Sequence, residues 1–177
     1  VYECLLQTDK FIGEGRPKKM GVLTKEQKSS FDENGVLVLP DFFTNEECDS
    51  LMLRMAAIID EANDENSTVF STTDRTHSQE EYFLTSGDKI RFFYEQQSND
   101  STPSELSLNK VGHALHDLDP VFSDFVRQKK VADLSSDVGF VEPLLLQSMY
   151  IFKPPHIGGE VVWHTDHPFL WTDPPSV

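Results

Sequence analysis

A histidine and an aspartate one residue apart, in His164-Thr165-Asp166, follow directly on the apolar run Val161-Val162-Trp163. Successive side chains of an extended strand point to opposite faces, so His164 and Asp166 would project together while Thr165 points away. One imidazole and one carboxylate are two thirds of the facial triad that holds non-heme Fe(II). Such a pair also arises by chance, and on its own it specifies no metal. Its setting adds something. Gly158-Gly159 supplies a turn before it, and polar groups follow an apolar run where a packed strand would continue to alternate. The expectation is a strand end at the mouth of a barrel.

The rest of the chain bounds what such a site could serve. With 177 residues, the length suits one domain or most of one. Fifteen basic against thirty acidic residues give a net charge of -15, a field that repels nucleic acid and anionic membranes. A small-molecule substrate is expected, with no nucleic-acid partner, and the oligomeric state is not legible. No apolar run is long enough for a membrane span. Cys4 and Cys48 make no spacing pattern, which fits a reduced compartment, with the cytoplasm as default. Cys48 reads as a buried apolar position. Residues 1–19 show no period and read as a disordered or spurious extension, leaving 20–177 as the domain.

Stepping along the chain, Thr24-Lys25-Glu26-Gln27 and Thr44-Asn45-Glu46-Glu47 match capping boxes. The first predicts a helix to about Glu33, stopped by Asn34-Gly35. Val36 to Leu39 reads as a brief strand. Behind the second box Cys48, Leu51, Met52, Met55, Ile58 and Ile59 form one helical stripe to about Ala62. Residues 63–81 and 96–105 read as loops. Tyr82-Phe83-Leu84 and Ile90 to Tyr94 read as strand, turn, strand. Leu108, Val111, Leu115 and Leu118 repeat at helical spacing, placing His113 and His116 on a helix. Further helices are expected after Pro120 and over 131–138. Leu144 to Leu146 and Met149 to Phe152 are expected to form a buried strand. Helices come early and strands cluster late, which suggests an α+β protein whose helices brace a β-sandwich or barrel that is only partly present.

Four segments carry a resemblance. Ser86-Gly87-Asp88-Lys89-Ile90-Arg91-Phe92-Phe93, Asn109-Lys110-Val111-Gly112-His113-Ala114-Leu115-His116, Asp119-Pro120-Val121-Phe122 and Gln147-Ser148-Met149-Tyr150-Ile151-Phe152-Lys153 occur in that order. With the stretch from about Thr24 to Thr172 they resemble the phytanoyl-CoA dioxygenase family. The resemblance implies a double-stranded β-helix, a jelly-roll or cupin-like barrel, holding Fe(II) and 2-oxoglutarate, with ascorbate as an accessory reductant. It implies oxidative decarboxylation of 2-oxoglutarate to succinate and CO2, coupled to hydroxylation of an acyl-CoA or lipid-like substrate. His164 and Asp166 match the first two iron ligands. Lys110 and Met149 match positions lining the 2-oxoglutarate pocket, and Thr165 lies within the ligand triplet.

The family's third ligand, a distal histidine, and the arginine that pairs with the far carboxylate of 2-oxoglutarate would lie beyond Val177, as would any peroxisomal address. The chain is therefore expected to be the N-terminal part of the domain and inactive alone, since two ligands hold iron weakly. Plainer readings stand beside each residue. Lys110 suits a solvated face and Met149 suits a core, while His113 and His116 suit packing, and His156 is ambiguous. Arg127, Lys129 and Lys130 form a basic cluster, either solvated or able to meet CoA phosphates. Two rivals remain: a non-catalytic scaffold, and a zinc hydrolase, because V-W-H-T-D-H approaches a His-x-His-x-Asp-His motif with Val162 in place of the first histidine.

Overall fold

The computed structural model describes residues 21–62, the backbone of 67–70, and residues 81–95, 108–158, 161, 163 and 164. The expected extension over 1–19, the loop over 96–105, Thr165 and Asp166 all lie outside the described residues. Within them the protein is α+β: α1 Lys25–Asn34, α2 Asn45–Glu61, β1 Ser67–Phe70, α3 Glu81–Leu84, β2 Ile90–Glu95, β3 Leu108–His113, α4 Leu115–Leu118, α5 Pro120–Val126, α6 Lys129–Asp137 and β4 Ser148–Ile151.

The chain divides into two compact units. One is organised on a four-stranded sheet of order β1-β2-β3-β4, in which β1 runs parallel to β2 and the other pairs are antiparallel. Leu51, Met55 and Ile58 of α2 are buried in this unit, as the helical stripe predicts, with Phe93, Leu108, Val111, Leu115 and Phe122. Asp119-Pro120 opens α5 by simple chemistry. The buried Asp119 carboxylate accepts from the Val121 and Phe122 amides at 3.0 and 3.2 Å, and Pro120 gives up no needed donor. Arg54 Nε then donates to the other Asp119 oxygen at 2.6 Å and so ties α2 to that cap.

The second unit holds α1, α6 and the segment before α2. Both capping boxes form: Thr24 accepts from the Gln27 amide while Gln27 accepts from the Thr24 amide, and Thr44 with Glu47 does the same. Gly35 ends α1 at φ 71, the left-handed value that favours glycine. Lys28 reaches Asp137 at 2.5 Å, and Asp137 also accepts from the Leu23 amide.

Several local expectations fail. Residues 108–118 are not one helix, because β3 occupies Leu108–His113 and only a short turn of helix follows. Tyr82 to Leu84 is helical rather than extended. The loop expected over 63–81 contains β1, held by its backbone pairing with β2. Val36 to Leu39 and Leu144 to Leu146 form no strand, and Val36, Val38 and Leu144 are exposed. Cys48 is half-buried and Met52 half-exposed, so the inner face of α2 is narrower than its full apolar stripe.

Candidate functional site

Strand β3 is central, and both of its faces are covered. Leu108, Lys110, Val111 and His113 are all buried, a pattern expected where both faces of a strand are packed. Lys110 sits opposite Phe93 of β2 and Ile151 of β4. Two residues on, Gly112 sits opposite Met149. The pleat therefore puts Met149 of β4 on the same sheet face as Lys110, one diagonal step away. Gly112 is what lets the strands close there. A Cβ at that position would lie 3.0 Å from Met149 Cγ and 3.1 Å from the Ser148 carbonyl oxygen. The sheet thus brings together two residues 39 positions apart that the sequence singled out separately.

Lys110 is 9% exposed. Its Nζ lies 5.4 Å from the centre of the Phe93 ring and 5.7 Å from that of Phe83, within range of the negative ring faces. Burial pushes its pKa down to about 8, so near neutral pH it remains mostly a cation in a dry setting. His113 contacts the same two rings, with centroid distances of 5.3 Å to Phe93 and 5.6 Å to Phe83. Burial, and next the charge of Lys110, lower its pKa to about 4, leaving the imidazole neutral. Ser86, also buried, lies 2.7 Å from His113 Nδ1 and donates to the Phe83 carbonyl at 2.6 Å. A cation held over rings in a water-poor setting is suited to receive a carboxylate, because a charge-assisted hydrogen bond strengthens as water is excluded.

The other expected residues fare differently. His164 is exposed, next to the fully exposed Trp163, and no strand is assigned at Val161, Trp163 or His164. Among the described residues no three histidine, cysteine, aspartate or glutamate side chains converge on one point. The described residues do not by themselves assemble an iron site. His116 belongs to α4, not to a long helix. It is buried, and its backbone amide and Nδ1 both meet Ser148 Oγ, at 3.0 and 2.8 Å, which ties α4 to the start of β4. His156 is exposed, at φ 65. In the basic cluster Lys129 pairs with Asp133, and Lys130 pairs with Glu47 at 2.5 Å, so these charges serve the fold before any phosphate.

Sequence reasoning missed Ser86, Phe83 and Phe93 as groups around Lys110 and His113 and set His113 aside as packing. A signal was present. Ser86 and Phe93 bound the first of the four motifs, and His113 lies three residues after Lys110 in the second.

Among the described residues no helix is long and apolar enough to cross a membrane. Residues 31–177 match the family described as phytanoyl-CoA dioxygenase (PhyH). The chain is 43% identical over 161 residues to the phytanoyl-CoA dioxygenase of Arabidopsis thaliana and 47% identical over 161 residues to phytanoyl-CoA dioxygenase 1 of Oryza sativa subsp. japonica. It is 43% identical over 166 residues to phytanoyl-CoA dioxygenase domain-containing protein 1 of Bos taurus. Each match takes in 88% of this chain and 57% of the relative, so the chain spans a little over half the length of these relatives. The chain belongs to the phytanoyl-CoA dioxygenase family.

Proposed function

We propose that the whole protein is an Fe(II)- and 2-oxoglutarate-dependent dioxygenase and that the β3–β4 face forms part of its 2-oxoglutarate pocket. The observation that carries this reading is the buried Lys110, paired diagonally with Met149 across a glycine where a Cβ would press on Met149 and the Ser148 carbonyl. Lys110 would meet a carboxylate of the keto acid, and Met149 would cover its carbon chain with a soft apolar surface. His164 and Asp166 would supply two iron ligands, with Thr165 between them, and residues beyond this chain the third. The four-stranded sheet would be one part of a jelly-roll barrel. When bound, iron and 2-oxoglutarate supply the oxidant for C–H hydroxylation, and the keto acid leaves as succinate and CO2. The buried aromatic surround of Lys110 keeps water from competing for its charge. The substrate to be hydroxylated is not specified by these residues; acyl-CoA or lipid-like molecules are the class to screen first.

The test is succinate release from 2-oxoglutarate by the full-length protein, alone and with His164→Ala and Asp166→Ala. Loss of turnover in both variants, with 2-oxoglutarate still binding, is the expected result. Undiminished turnover in either would remove that residue from the ligand set. Failure of the wild-type protein to turn over or bind 2-oxoglutarate would favour the non-catalytic scaffold.

A further inference from the structure

Helix α3 is a single turn, and one turn of helix does not hold itself. Its carbonyls are taken up by the residues that follow. Thr85 donates from its amide and its hydroxyl to the Glu81 carbonyl, at 3.0 and 2.7 Å. Ser86 does the same to the Phe83 carbonyl, at 3.1 and 2.6 Å. Between them the Tyr82 carbonyl accepts from Arg91 Nη1 of β2, which also donates to Thr85 Oγ1 at 2.9 Å. The same guanidinium lies over the Tyr82 ring, 4.3 Å from its centre. The Tyr82 hydroxyl in turn accepts from the Phe92 amide at 3.3 Å and donates to the Phe92 carbonyl at 3.4 Å. Arg91 thus holds α3 by its backbone, by a hydroxyl and by a ring, which a planar fork can do and a point charge cannot.

What α3 carries is Phe83. The centre of its ring lies 5.7 Å from Lys110 Nζ, 5.6 Å from that of His113 and 6.0 Å from that of Phe93. Of the two phenylalanines beside Lys110, Phe93 is fully buried and Phe83 half-buried, so Phe83 is the one toward solvent. Burial is what lowers the Lys110 pKa, and the acidity of Lys110 therefore reports how well it is covered. Its titratable neighbours do not overlap it. Burial takes His113 down to about 4 and pushes the Tyr82 hydroxyl above its usual value.

We infer that Arg91 is a positioning residue: by clamping α3 to β2 it keeps the Phe83 ring over Lys110, and so keeps water from the cation that the keto acid would meet. The inference deepens the proposed function, and for its ligand rests on it. The clamp itself does not. It asks of Lys110 only its place beneath the ring.

The experiment follows the Lys110 side-chain resonance in the full-length protein labelled with 13C-lysine, assigned by its loss in Lys110→Arg. Arg91→Met should let α3 lift and raise the Lys110 pKa by about one unit, a tenfold change in its protonation equilibrium. Phe83→Ala removes the cover while leaving the Arg91 charge in place, and should raise it comparably. Both should weaken 2-oxoglutarate binding several-fold at neutral pH. If Arg91 acts through that ring, the double variant should shift no further than the larger single one. Thr85→Val takes away one acceptor of the clamp and no charge. It should give a smaller rise, a check that stands if Arg91→Met does not fold. A Lys110 pKa unmoved in Thr85→Val and Arg91→Met, or shifts that add in the double variant, overturns the inference. A shifted pKa in a protein that does not bind 2-oxoglutarate supports the clamp and overturns the proposed function instead.

Discussion

Two lysines in this protein each stand over a pair of phenylalanine rings, and they are held for different ends. Lys130, in the helical unit, lies 4.5 Å from the Phe43 ring centre and 5.5 Å from that of Phe42. It donates to the Phe42 carbonyl at 3.0 Å and to Glu47 at 2.5 Å. Glu47 closes the capping box of α2, and its bond to Lys130 is the largest cause holding its carboxyl below the usual range. The charge of Lys130 is thus spent on joining the start of α2 to α6. Lys110 has a similar aromatic seat on a central strand, yet burial is the force that sets its acidity, down to about 8. Aromatic rings alone do not make a ligand site. What separates the two is that Lys130 pairs with a carboxylate near the surface, whereas Lys110 is buried and its acidity is set by that burial, as that of active-site groups often is.

That contrast can be broken most forcefully through stability. An unfolded lysine titrates near 10.5 and Lys110 in the folded protein near 8, so between these values the unfolded chain carries one more proton. Stability should accordingly rise as pH climbs from about 8 to about 10.5, by up to roughly 3 kcal/mol. Lys110→Met should flatten that rise and raise the melting temperature at neutral pH, measured by thermal unfolding followed by circular dichroism. His113 has the same sign in another window. Its folded value of about 4 lies below the ordinary 6.5, so its contribution is present above 6.5 and is lost as pH falls toward 4.

Gly112→Ala comes next in size. The added methyl would press on Met149 and on the Ser148 carbonyl, and backbone cannot yield cheaply. A loss of about 2 kcal/mol in urea unfolding is expected, together with weakened 2-oxoglutarate binding as β4 shifts from β3. Lys130→Met should have the smallest effect. Its pair with Glu47 is partly solvated, so only a small fall in melting temperature is expected. Keto-acid binding should be untouched. If Lys130→Met stabilised the protein as Lys110→Met is expected to, the distinction between the two lysines would be lost.

How far the sequence could be read follows the range of the interactions involved. Both capping boxes and the Gly35 stop were legible because three or four neighbouring residues determine them. The buried side of α2 was legible from Leu51, Met55 and Ile58 because one helix face alone meets the core. Strand β3 was misread because burial on both faces erases the two-residue alternation, leaving Leu108, Val111, Leu115 and Leu118 to imitate a helix. The short strand β1 was missed because its sequence, Ser-Thr-Val-Phe, follows a polar run and gains its order from pairing with β2. Lys110 and Met149 were named from the motifs that carry the resemblance. Their meeting across Gly112 required the register. Ser86 stands in the first of those motifs, but its contact with His113 spans 27 positions and required the fold.

The most direct test is calorimetric titration of 2-oxoglutarate into the full-length protein beside its Lys110→Met and Lys130→Met variants. Loss of one charge-assisted hydrogen bond should weaken binding by about tenfold to hundredfold in Lys110→Met and leave Lys130→Met like the wild type. Equal affinity in the wild type and Lys110→Met would contradict the assignment of the β3–β4 face as the keto-acid pocket.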